Sequence, residues 1–135
     1  MNRSHLCAEG IELIAAARSS LIMGLRDDIG FWQVPPKCVV LFGSVARREA
    51  GPRSDIDLLV VRPTVVDEDL PTWREQLGGL ERAATRWTGN DARIVELGEG
   101  ELAHARPLLE DVLEYGVEVF GSLQVIRRAM GRDRR

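Results

Sequence analysis

The chain has 135 residues, 44% of them hydrophobic and 29% charged, and a net charge of −3 from 18 basic and 21 acidic side chains. That is room for one domain with a real core and not for two, and the acidic balance argues against a general nucleic-acid binder, which carries a basic surplus. Two cysteines, Cys7 and Cys38, are too few for a disulfide framework or a metal site, and with no secretory signal pattern and no apolar run long enough to cross a bilayer the expected compartment is the cytoplasm.

Ile11, Ile14, Leu21, Ile22 and Leu25 recur at helical spacing and predict a helix over about 7–26. Pro35-Pro36 ends the following loop and introduces a first strand, 37–42, in which Cys38 reads as a small buried hydrophobe. A short helix over 44–50 closes at Gly51-Pro52, and a second strand runs over 55–61, ending before Pro63. Asp69 and Pro71 look like a helix start. The helix carries Leu70, Trp73, Leu77, Leu80, Ala84 and Trp87 on one stripe, and both tryptophans are expected in the core. Thr88-Gly89-Asn90-Asp91 is a turn, and 92–97 a third strand. Pro107 fits the first turn of a helix that stops at Gly116, followed by a short strand over 117–120. The whole of 1–135 is expected to be one domain, with 122–135 a helical, Arg-rich tail free to move; five of its last nine residues are arginine. Such a run could meet RNA or an acidic partner but is more often a solvated tail. His5 and His104 have no ligand partners at metal spacing and read as surface residues. The alternation of helices and strands gives an α/β (α+β) fold, a small mixed sheet with helices packed mainly on one face.

The most informative stretch is 38–61. The apolar run Cys38-Val39-Val40-Leu41-Phe42 ends on Gly43-Ser44, and a second apolar run opens with Ser54-Asp55-Ile56-Asp57. Residues i and i+2 of a strand point the same way, so Asp55 and Asp57 stand side by side. Two adjacent carboxylates repel unless a cation sits between them, and hard oxygen ligands of this kind suit Mg²⁺ shared with substrate phosphates. Gly43 lets backbone approach a phosphate, and Ser44 can cap the short helix, whose first amides face an anion. An anion cradle beside two metal-binding carboxylates is equipment for phosphoryl or nucleotidyl transfer.

Gly43-Ser44, Arg47 and Ser54-Asp55-Ile56-Asp57 together resemble the signature of the DNA polymerase β-like nucleotidyltransferases, and most closely that of the minimal nucleotidyltransferases (MNT) of prokaryotes. The likeness is specific over 38–61 and looser elsewhere; Arg48 stands where many members have Gly. The resemblance implies the polymerase β-like fold with antiparallel strand pairing. It implies Asp55 and Asp57 holding two Mg²⁺ ions, and Gly43, Ser44, Arg47 and Ser54 binding the nucleotide, ATP as the expected substrate. It also implies a third carboxylate on a neighbouring strand. Glu96, which interrupts the apolar strand Ala92-Arg93-Ile94-Val95-Glu96-Leu97, is the first candidate as metal ligand and base, and Asp91 is the rival. A bland reading makes Glu96 a strand-edge residue and Arg47 a solvated one.

Members of this group commonly act as antitoxins of HEPN-domain ribonuclease toxins. The expected activity is transfer of AMP to an acceptor hydroxyl, a tyrosine of a HEPN partner, in a hetero-oligomer. At 135 residues the chain is expected to be too short to carry the added domain by which larger relatives grip base and acceptor, so a partner is expected to complete the site. Two other readings stay open. One is an antitoxin that neutralises by binding alone. The other is a free-standing enzyme acting on a small molecule or tRNA.

Overall fold

A computed structural model describes residues 18–46 and 55–133. In chain order they form helix α1 (18–30), strand β1 (Cys38–Phe42), the short helix α2 (Gly43–Ala46), β2 (Ile56–Arg62), α3 (Pro71–Thr88), β3 (Ala92–Gly98), a 3₁₀ turn (Glu99–His104), α4 (Arg106–Tyr115), β4 (Val117–Gly121) and α5 (Gln124–Asp133). The strands make an open mixed sheet in the order β3-β2-β1-β4. β1 is antiparallel to β2 and to β4, and β2 is parallel to β3.

The two central strands explain the layering. All of β1 is buried, and β2 buries Ile56 and then Leu58 to Val61 without a break. Successive side chains of a strand alternate between faces, so an unbroken apolar run needs cover on both. α1 and α3 cover one face, closing Leu21, Leu25, Trp73, Leu77 and Leu80 over Val39, Leu41, Leu58 and Val60. The 3₁₀ turn, α4 and α5 cover the other, closing Leu102, Leu109, Val112 and Ile126 over Cys38, Val40, Leu59 and Val61. The mixed sheet is as the sequence predicts, but its helices lie on both faces rather than mainly on one.

α3 starts at Pro71, whose missing amide is one the first turn would leave unpaired in any case. It ends at Gly89, in the left-handed region (φ 73°), where the Gly89 amide donates to the Thr85 carbonyl. Trp73 is fully buried and meets Trp32 edge to face, with ring centroids 5.9 Å apart. The other tryptophan of the stripe does not join the core. Trp87 is 59% exposed and lies over Gly24 of α1, where a Cβ would come within 2.8 Å of the indole. Gln76 ties the loop after α1 to α3, accepting from the Val34 amide at 3.0 Å and donating to the Val34 carbonyl at 2.9 Å.

α5 occupies most of the segment predicted as a movable tail. Its Ile126 is fully buried and Met130 nearly so, with Leu123 just ahead of the helix also buried. Arg134 and Arg135 lie outside the described residues, as do Cys7 and His5. Cys38 is buried as expected, and burial, with Glu118 and Glu99 adding repulsion, pushes its thiol up to about 12. No helix among the described residues is long and apolar enough to cross a membrane.

Candidate functional site

The end of β1 and the start of β2 meet because the two strands are antiparallel, with Phe42 opposite Asp57. The next residue, Gly43, has φ +75°, a conformation that costs a residue with a Cβ about 1–2 kcal/mol. A Cβ on Gly43 would also collide with Asp57 Oδ2. Bare backbone is therefore pressed against a carboxylate at the point where the chain leaves the sheet. Ser44 is the second residue of the short helix that follows.

Asp57 shares its sheet face with Leu59 and Val61, the face covered by α4 and α5. Its side chain retains 18% of its exposure, while that of Asp55, just ahead of the strand, retains 45%. The parallel register sets Arg93 of β3 opposite Asp57. Arg93 contacts both aspartates, with Nη2 at 3.5 Å from Asp55 Oδ2 and Nε at 3.4 Å from Asp57 Oδ1. The two carboxylates thus converge, and the group placed across from them is a cation.

Glu96 is not brought to this place. It pairs in register with Val60, three positions along β3 from Arg93. An odd separation in a strand reverses the face, so Glu96 lies on the α1/α3 side with Ile94 while Arg93 lies with Val95 and Leu97. There its carboxylate accepts from Arg62 Nη1, from Trp73 Nε1 at 3.0 Å and from Arg74 Nη1 at 3.5 Å. Both its oxygens are engaged and its side chain is 14% exposed. Arrayed in this way, Glu96 joins α3 to the sheet, and the expectation that it completes an acidic triad with Asp55 and Asp57 is corrected. The signal that it belonged elsewhere was its parity: 96 and 93 cannot share a face of one strand.

The rival, Asp91, sits at the correct end of the sheet. Its side chain is exposed, and its carbonyl accepts from the Ile56 amide at 2.9 Å, fastening the head of β2 to that of β3. Arg47 and Ser54 lie outside the described residues. Among the described residues no group of three or more His, Cys, Asp or Glu converges as a metal cage. Asp55 and Asp57 together suit a divalent cation that brings its remaining ligands with it as phosphate and water. A cleft lined by Phe31, Trp32, Thr72 and Gln76 belongs to the α1/α3 side and includes neither aspartate.

The pattern of the nucleotidyltransferase domain family matches residues 22–119. Solved structures share the fold. A toxin–antitoxin complex with AMP-PNP contains a chain 20% identical to this one, with a TM-score of 0.54 over 85% of this chain and 86% of that one. A Shewanella oneidensis complex of a tri-AMPylated HEPN toxin with an MNT antitoxin contains one 18% identical, with a TM-score of 0.52 over 90% and 87%. No curated protein sequence matches the chain significantly.

Proposed function

This chain belongs to the nucleotidyltransferase domain family, and from that premise we propose that it transfers a nucleoside monophosphate, AMP from ATP, to a hydroxyl of a partner protein. The observation that carries the reading is the convergence of Asp55 and Asp57 beside the bare backbone of Gly43. In the transfer, the acceptor hydroxyl oxygen forms a bond to the α-phosphorus and releases its proton to water, the bond from that phosphorus to the oxygen bridging to the β-phosphate breaks, and pyrophosphate leaves carrying that oxygen and its charge. A Mg²⁺ ion held by Asp55 and Asp57 would neutralise charge on the triphosphate. Gly43 and Ser44 would hold the β- and γ-phosphates, with Arg47 and Ser54 nearby in sequence. Glu96 is left out of this list, because its carboxylate is engaged on the far face of the sheet.

The partner we propose is a HEPN toxin and the acceptor one of its tyrosines, making this chain an antitoxin that works in the cytoplasm. Support comes from fold-sharing chains that are held in toxin–antitoxin complexes, one with an ATP analogue and one with an AMPylated HEPN toxin. A second reading is an antitoxin that neutralises by binding, with transfer weak or absent. The observation favouring it is Arg93, a cation where a third carboxylate would assist the acceptor.

The two are separated by mixing the chain with a HEPN partner, Mg²⁺ and ATP labelled in the α-phosphate. Transfer adds the mass of AMP to the partner, which stays inactive once this chain is removed. Asp55→Asn with Asp57→Asn should abolish the added mass while circular dichroism stays native. If no mass is added and the double variant still neutralises, the binding reading holds and the transfer reading is overturned.

A further inference from the structure

Arg93 has no part in the mechanism above, yet it is the residue in register with Asp57 and contacts both aspartates. β3 is an edge strand paired to β2 along its whole length, so the backbone fixes the position of Arg93 beside the carboxylates. Its side chain is 70% exposed and can swing from the carboxylates without leaving the neighbourhood. It therefore competes with any other cation for the same oxygens. At the 3.4–3.5 Å separation of these groups a unit charge near a protein surface is strong enough to change a neighbouring ion's affinity by about tenfold, and it acts more strongly on a divalent ion than on a monovalent one. The same charge attracts a metal–triphosphate complex, whose net charge is negative.

We propose that Arg93 is a specificity-determining residue that makes cation binding at Asp55 and Asp57 conditional on the nucleotide: the bare metal ion is repelled, and the metal–nucleotide complex is admitted as its phosphates take over the guanidinium. The inference rests on the reading of Asp55 and Asp57 as a metal site. It predicts an ordered entry, metal with nucleotide, in a site that carries its own counter-ion while empty.

The test is uptake of Mn²⁺ by the full chain, followed by the electron paramagnetic resonance of the free ion, with and without AMP-PNP. Wild type should bind Mn²⁺ alone weakly and about tenfold or more tightly with the analogue. Arg93→Gln should bind Mn²⁺ alone about tenfold more tightly than wild type and gain much less from the analogue. Arg93→Lys, which keeps the charge, should stay near wild type. If Arg93→Gln takes up Mn²⁺ no better than wild type while Asp55→Asn/Asp57→Asn abolishes uptake, the inference falls and the metal site stands. If Arg93→Lys binds as tightly as Arg93→Gln, charge is not the cause and the inference is overturned. If neither wild type nor Arg93→Gln takes up Mn²⁺ under either condition, the metal site falls and the inference with it.

Discussion

Trp73 and Glu96 meet across the sheet–helix interface: the indole Nε1 of α3 donates to the carboxylate Oε2 of β3 at 3.0 Å. With Arg62 on the other oxygen, Glu96 is the polar tie between a fully buried tryptophan and the edge strand. Replacing it with Ala leaves the Arg62 guanidinium, 13% exposed, without its main carboxylate partner. A buried donor stripped of its acceptor costs about 1–3 kcal/mol, and more when charged. Glu96→Ala should thus lower the urea midpoint clearly, and Glu96→Gln, which still accepts from Trp73, should lower it less. Both should leave Mn²⁺–nucleotide uptake unchanged. A Glu96→Gln chain that is as stable as wild type but loses nucleotide-dependent metal uptake would return Glu96 to the metal site.

Gly43→Ala should, unlike the Glu96 variants, lower metal–nucleotide uptake. The new methyl meets Asp57 Oδ2 and the left-handed backbone costs about 1–2 kcal/mol for any residue with a Cβ. Relief of the clash moves either the Asp57 carboxylate or the chain entering α2. Metal–nucleotide uptake should fall by at least tenfold, since a change of one decade needs only about 1.4 kcal/mol. Isothermal titration with AMP-PNP and Mg²⁺ checks this; unchanged affinity would remove Gly43 from the site.

Ile126→Ala tests whether α5 is part of the folded core. Ile126 is fully buried among Leu102, Leu109 and Val112 on the second face of the sheet. Truncating a buried isoleucine to alanine costs about 2–5 kcal/mol. A loss of under about 0.5 kcal/mol, the range of surface substitutions, would mean that the helix is detached in solution.

The Cys38 thiol gives a pH dependence. Burial raises its folded pKa from 9.0 to about 12, so folding disfavours the thiolate. The unfolded chain releases the proton first, and the stability that the neutral thiol contributes is intact below about pH 9 and lost as pH rises towards 12. Cys38→Ala should flatten that part of the stability–pH curve, measured by urea unfolding. In a Cys7→Ser background, Cys38 should resist a thiol reagent at pH 8 until denaturant is added.

The sequence alone determined the elements and the pair of aspartates, because both are written in short-range patterns. Continuous apolar runs marked β1 and β2, Pro71 and Gly89 bounded α3, and the two-residue spacing of Asp55 and Asp57 set them on one face. Gly43 was legible for a similar reason, since a glycine between strand and helix marks a close approach. What the tertiary structure decided was everything that depends on register and on which face meets which helix. The parallel pairing of β2 with β3 puts Arg93, not Glu96, across from Asp57, and a shift of one residue would have exchanged their faces. No local pattern encodes that alignment; it is settled by how Ile94 and Ala92 pack towards Trp73 and Leu80 on one side while Val95 and Leu97 pack with Leu102 and Leu109 on the other. Trp87 is a second case: helical spacing placed it on the apolar stripe, but its indole comes to rest over Gly24 of α1 with most of its surface in water.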